Sequence, residues 1–213
     1  SHHLPPRGTA GVEIYSARLA SALAARGHET LLFATDDDPT LERGTTRSRT
    51  VDGVQARETA EPRRVDRPDD SWSNPSVEKA FAEVLAEFRP DVVHFQNARF
   101  LGFGVVEVAR RFGAGVVFTL NDHWLVCARD GLLLDREDRR CVGPDVDRCA
   151  DCLRGYRFGL SPAEAKARRL ISAARGLLGG AGAAVARRIA VWLRRRSREE
   201  SREDLRSLVL RRN

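Results

Sequence analysis

The chain has 213 residues, 42% hydrophobic and 31% charged, enough for one sizeable domain with its own core and too mixed for a disordered or fibrous class. No run approaches the roughly 20 apolar residues that span a bilayer; Leu177 to Leu193 is broken by three glycines and two arginines. The net charge of +6 is uneven: residues 162–213 hold 14 basic against 5 acidic residues, and Lys79 and Lys166 are the only lysines, so the excess is a C-terminal patch and not the broad basic face of a nucleic-acid-binding body.

Ser1-His2-His3-Leu4 and the absence of methionine read as the start of a fragment, from which targeting is not legible. Leu4 to Gly11 is a loop rich in proline and glycine. A helix follows, with Val12, Tyr15, Leu19 and Leu23 at three- and four-residue steps, ending at Arg26-Gly27. Thr30 to Ala34 reads as a buried strand. Thr35 to Pro68 reads as a polar loop with one short strand pair near Thr50 to Arg57. Asn74-Pro75 is a capped helix opening; Val77, Phe81, Leu85 and Phe88 share one face, and Pro90 stops the helix. Val92 to Phe95 is a strand, Phe103 to Phe112 a helix ended by Gly113, and Gly115 to Leu120 the next strand. Alternation of helices and strands with short connections predicts parallel strands with right-handed crossovers, a doubly wound α/β sheet. Ligands bind such sheets at the strands' carboxyl ends, which points to the loops after Phe95 and Leu120. Residues 123–160 lack periodicity, and Ser161-Pro162-Ala163-Glu164 opens a helical C-terminal stretch through a capping box.

Three phrases together resemble the N-terminal, acceptor-side domain of family 4 glycosyltransferases of the GT-B fold. They are Pro5-Pro6-Arg7-Gly8-Thr9-Ala10-Gly11-Val12-Glu13 with the later Arg26-Gly27-His28-Glu29; Arg89-Pro90-Asp91-Val92-Val93-His94-Phe95-Gln96-Asn97; and Val117-Phe118-Thr119-Leu120-Asn121-Asp122-His123-Trp124. The resemblance spans roughly residues 5–153. It implies a Rossmann-like domain over 1–160, an Arg-rich helical extension over 161–213, and a donor-binding domain that these residues do not include. A first strand before the glycine loop and a last strand of this domain are also expected outside the sequence.

A glycine-rich turn ahead of a helix N-terminus presents backbone N–H groups to a phosphate. On the residues alone, a tight turn without a ligand is the stronger reading; the resemblance tips the balance and gives Gly8, Thr9, Ala10 and Gly11 the donor diphosphate. It places Asn121, Asp122 and His123 at the reacting centre and Glu13, His94, Asn97 and Trp124 at the acceptor. Asn121 stands where the family has histidine. Asparagine hydrogen-bonds but does not transfer protons near neutral pH, so a site carries over without a general base. A polar loop residue remains the alternative for His123, and a satisfied core histidine for His94.

Cys127, Cys141, Cys149 and Cys152 lie close in sequence, the last two as C-x-x-C. A structural zinc or iron–sulfur cluster, disulfides and plain thiols all remain open. In the tail, Val185, Ile189, Trp192 and Leu193 form one face flanked by Arg187, Arg188 and Arg194 to Arg196. That suits a core-facing helix with a solvated basic side, or an amphipathic helix on an anionic membrane. Nucleic acid is not an expected partner, because no stacking aromatic set accompanies the charge.

The resemblance thus implies an enzyme, a hexosyltransferase-like transferase moving sugar from a nucleotide-diphosphate sugar to a glycan, lipid-linked or small-molecule acceptor. Retention of configuration, no cofactor for the transfer itself, an inactive isolated fragment, and a cytoplasmic location, peripheral to the inner face of the plasma membrane, go with it. The rivals are a non-catalytic α/β binding module and a membrane-surface adaptor.

Overall fold

A computed structural model describes residues 3–38, 40–61, 72–129, 131–154, 156 and 202–212. The chain divides into two compact units, one of Ser1–Arg63 with Asp70–Asn121 and one of Arg64–Asp69 with Asp122–Asn213.

In the first unit, α1 (Gly11–Ala24) leads to β1 (Leu31–Asp36), β2 (Thr46–Val51) and β3 (Val54–Ala60). Asp52 and Gly53 join β2 to β3 with φ of 48° and 82°, the paired left-handed geometry of a tight hairpin turn. β3 is antiparallel to β2 and parallel to β1 from Leu31↔Gln55 to Asp36↔Ala60. The hairpin is longer than the Thr50–Arg57 pair expected. The inward face of α1 also differs: Glu13, Ser16, Ala17 and Ala20 are buried, while Tyr15 is 47% exposed. Small side chains let the helix approach the sheet closely, and Ala17 and Ala20 share a core with Leu4, Leu32, Ala34, Val51, Val54 and Ala56.

α2 (Pro75–Phe88), β4 (Val92–Phe95), α3 (Gly104–Phe112) and β5 (Gly115–Phe118) follow. Asn74 caps α2 by accepting from the Val77 N–H at 3.3 Å, with proline in the first turn. Arg89 ends it at φ 52°, and its N–H bonds the Leu85 carbonyl. Gly113 ends α3 at φ 92°, where a left-handed residue satisfies the last carbonyls without a Cβ penalty. Val77, Phe81, Leu85, Phe95, Leu101, Val105 and Ala109 form the second core. Phe81 is its hinge, with its ring centroid 5.0 Å from Phe33 of β1 and 6.1 Å from Phe95 of β4.

The described strands do not form one doubly wound sheet. They form a mixed sheet in the order β1-β3-β2 and a parallel pair β4-β5. The parallel pairings and the α3 connection between β4 and β5 are as expected. β2 is antiparallel because a two-residue turn can only reverse the chain. No described strand bridges β1 and β4; a cavity of about 670 Å³ runs along both, lined also by Leu19 and Leu23 of α1 and by Val84 and Phe88 of α2. Leu19 and Leu23, part of the spacing that marked the helix, thus face this cavity.

The second unit holds α4 (Val146–Leu153) and α5 (Arg202–Arg212), which pack together. Leu205, Leu208 and Val209 are buried along α5, Ala150 and Leu153 along α4, and Arg206 pairs with Asp147. α4 lies in the stretch that showed no periodicity; at eight residues it is too short to display one. Asp145 caps it, accepting from the Arg148 N–H at 2.8 Å. The helix expected from Ser161 and the amphipathic face at 185–196 lie outside the described residues.

Candidate functional site

The glycine loop is built around residues that cannot be larger. A Cβ on Gly8 would lie 2.6 Å from Glu13 Cγ and 2.7 Å from His3 Cβ. Gly8 is thereby seated on buried Glu13, and its N–H bonds the Leu4 carbonyl at 3.0 Å. His3 Nδ1 lies 3.2 Å from the Thr35 carbonyl oxygen, which fixes the loop's base beside the carboxyl end of β1. Thr9, Ala10 and Gly11 are exposed. Ala10 occupies the N-cap of α1 with no side-chain hydrogen bond, and a Cβ on Gly11 would meet nothing within 4 Å. The cap of α1 therefore carries no side-chain acceptor and borders open space at Gly11, and a helix N-terminus of this kind attracts an anion. Glu13, expected at the acceptor, lies 2% exposed beneath the loop.

Charged groups gather at the same strand ends. Arg7 and Arg47 both pair with buried Asp36, the last residue of β1. Arg7 also reaches Asp38 at 3.2 Å. The Thr40 hydroxyl and N–H, helped by Arg7, hold the Asp38 carboxyl down to about 2. After β3, Arg43 Nε donates to Glu61 at 2.8 Å, and Asn74 Nδ2 donates to Glu61 at 3.0 Å and to the Phe100 carbonyl at 3.1 Å. Sequence reasoning missed this cluster. Only Arg7 and Asn74 stood in a motif or cap; Asp36, Arg43, Arg47 and Glu61 sat in what read as a polar loop or at its start.

The ends of β4 and β5 carry a second network. Thr119 Oγ1 lies 2.7 Å from His94 Nε2, and Gln96 Nε2 3.0 Å from the same nitrogen. Asn121 Nδ2 donates to the Gln96 backbone carbonyl at 2.8 Å and its Oε1 at 3.3 Å. Gln96 is thus oriented with its oxygen toward Asn121 and its NH₂ toward His94, which makes His94 Nε2 an acceptor and puts the neutral ring's proton on Nδ1. Gln96 is the hub that motif reading passed over, although it stands between His94 and Asn97 in the same phrase. Desolvation lowers the His94 pKa from the ordinary 6.5.

A pH titration of the His94 ring by NMR is therefore expected to give a midpoint below 6.5. The folded state favours the neutral ring, so the network's contribution is complete above the ordinary histidine pKa and is lost as pH falls through the lowered value. A midpoint at or above 6.5 contradicts the desolvation of the ring.

The structure joins His94 and Asn121 through Gln96. Asn97, 6% exposed, accepts from the Arg99 N–H at 2.6 Å. Asp122 and His123 belong to the second unit. Asp122 accepts from the Trp124 N–H at 2.9 Å, a local turn, and His123 is exposed. Trp124 is 4% exposed, so its ring is a packing element and not an open stacking surface for an acceptor. The glycine loop's contacts run to His3, Leu4, Glu13 and, through Arg7, to Asp36 and Asp38.

The Glycosyltransferase Family 4 profile matches residues 9–191, from the exposed loop through both networks. The chain belongs to glycosyltransferase family 4. No curated protein and no solved structure matches it. Family 4 membership carries glycosyl transfer, with a sugar donor and an acceptor as partners, in general terms. This family 4 chain shows, among the described residues, no helix long and apolar enough to cross a membrane.

Proposed function

We propose that this family 4 chain is the acceptor-side domain of a retaining, hexosyltransferase-like enzyme using a nucleotide-diphosphate sugar. The supporting observation is the exposed Thr9-Ala10-Gly11 turn at an α1 N-terminus with no side-chain cap. Backbone N–H groups there supply positive potential to a diphosphate, so the reading calls on no metal at the reacting atoms. The acceptor, a glycan, a lipid-linked glycan or a small molecule, lies along the polar network of His94, Gln96 and Asn121. Asn121 uses its amide N–H groups on Gln96; it orients neighbouring groups and does not carry a proton. Asn97 supports the turn beside that network. Donor binding is completed by a second domain, which makes the isolated chain inactive, and the enzyme works at the cytoplasmic face of the membrane.

The substitution Ala10→Asp separates a ligand site from a plain turn. Aspartate at an N-cap is preferred over alanine by about 1 kcal/mol, so thermal stability should rise. The same carboxylate would occupy the diphosphate's position, so donor affinity in the full-length polypeptide should fall about tenfold or more. Raised stability with unchanged donor affinity refutes the diphosphate assignment. A second reading, a non-catalytic binding module, is favoured by the engagement of Asn121 in the place of a histidine; acceptor binding without any turnover would support it.

A further inference from the structure

The second unit contains a constellation that the transfer chemistry leaves unused. Cys127, Cys141, Cys149 and Cys152 all line one cavity of about 270 Å³. All four are free thiols and all are half-buried. They arrive from three separate pieces of backbone, so their meeting is a product of the fold and not of sequence proximity alone.

Each piece is fixed locally. Cys127 closes a helical turn, its N–H bonding the His123 carbonyl at 2.9 Å and its carbonyl accepting from the Gly131 N–H at 3.1 Å. Cys141 closes a hairpin: its N–H bonds the Leu133 carbonyl at 2.8 Å, next to the Leu134↔Arg140 bridge. Asp135 rigidifies the hairpin's tip, accepting from the N–H groups of Glu137 and Arg139, both at 2.9 Å. Cys149 and Cys152 sit one turn apart on α4. Residues three apart on a helix have Cβ atoms about 5–6 Å apart. Four sulfurs about 2.3 Å from one tetrahedral ion stand about 3.8 Å from each other, a separation the α4 pair reaches by rotating its side chains.

Burial raises the Cys152 pKa, and against that the surroundings supply a hydrogen-bond donor and two cations. The Asp145 N–H points at Cys149 Sγ at 3.4 Å, a donor placed to stabilise a sulfur anion. Arg129 and Arg148 also line the cavity, beside what would be a site of about −2 net charge once four thiolates meet a divalent ion. Cys141 and Cys152 point their thiols at the Gly143 and Leu134 carbonyls, at 3.3 and 3.9 Å. As placed, no three His, Cys, Asp or Glu side chains among the described residues converge on one point. Closure therefore requires Cys141 and Cys152 to turn from those carbonyls into the cavity. The cavity that all four line supplies the room for that turn.

We propose that the four cysteines close around a single Zn²⁺ in a tetrahedral, fully protein-ligated site. Each thiol gives its proton to solvent and its sulfur lone pair to the ion; no oxidation occurs. The site has no open position and is structural. Its effect is local to this unit: Cys127's turn carries the His123 carbonyl, so a closed site would lock the Asp122–Trp124 turn in place. The inference stands apart from the transferase reading, because its readouts do not involve turnover.

The test is metal analysis of the protein expressed in zinc-supplemented medium and purified without chelator. About one equivalent of zinc and no iron or acid-labile sulfide are expected. Cobalt substitution should give the intense thiolate charge-transfer and visible ligand-field bands of a tetrahedral thiolate site. All four thiols should resist a thiol reagent until a chelator is added. Cys149→Ser and Cys152→Ser should each lower zinc content at least about tenfold, and Arg154→Ala, a surface control, should not. Metal content under about one-fifth equivalent with four freely reactive thiols overturns the proposal. So does the loss of two or four titratable thiols recovered by reductant, which means disulfides, or stoichiometric iron with sulfide, which means a cluster. If a serine variant fails to fold, cobalt titration of the metal-stripped native chain decides: saturation near one equivalent with tetrahedral bands supports the site, and their absence removes it.

Discussion

Phe81→Ala is expected to destabilise the first unit by about 3–5 kcal/mol, the range for truncating a buried aromatic. Phe81 is 5% exposed and lies between Phe33 and Phe95. Its removal opens a void next to the existing cavity along β1 and β4, where no described strand is present to collapse inward. Chemical denaturation should show a lowered midpoint with little change in slope. Phe81→Leu, which refills part of the space, should recover more than half of the loss. A cost below about 1 kcal/mol for the alanine variant would show that the second core is not organised around this ring.

Gly8→Ala is expected to damage both stability and function. The new methyl meets Glu13 Cγ and His3 Cβ below 3 Å, and both partners belong to buried residues that cannot simply swing into solvent. Overpacking of this kind costs about 1–3 kcal/mol. Relief requires the loop to lift from Glu13, which displaces the N–H groups of the α1 N-terminus. Donor affinity in the full-length polypeptide should therefore fall with stability. Gly11→Ala is the internal comparison, because its Cβ enters open space, and alanine favours a helix over glycine by about 1 kcal/mol. It should be neutral or stabilising. Equal effects at the two positions would contradict the loop geometry.

Much of the architecture was legible because local chemistry and tertiary context agree. Asn74-Pro75 opened α2 through a side-chain cap, Gly113 closed α3 in the left-handed region, and the apolar runs at Val92 and Gly115 became parallel strands. On α1 the spacing of Val12, Tyr15, Leu19 and Leu23 gave the helix, but the face that packs on the sheet is the one carrying Ala17 and Ala20. The β2–β3 hairpin was underestimated because its outward residues, such as Arg47 and Arg49, read as loop. Those arginines are held by Asp36 and Glu58, partners that only the folded register brings opposite them.

The site was legible as a set of phrases and not as a geometry. Each phrase landed at the end of a strand or the start of a helix, where backbone groups lack ladder partners. Which side chains are committed elsewhere was invisible: Asn121 to Gln96, Asp122 to the Trp124 N–H, Trp124 to burial. The cysteines show the opposite case. Their spacing left metal, disulfide and plain thiols open, and the hairpin and α4 place all four around one cavity.

Glycosyl transfer through the exposed loop of α1 is tested most directly by incubating the full-length polypeptide, and this chain alone, with a panel of nucleotide-diphosphate sugars and glycan, lipid-linked and small-molecule acceptors, with products read by mass. One donor is expected to yield a sugar-sized mass increment with the full-length polypeptide and none with the chain alone, and the product is expected to be lost in Gly8→Ala but not in Gly11→Ala. Product formation unaffected by Gly8→Ala, or neither transfer nor donor binding by the full-length polypeptide, would contradict transfer through that loop.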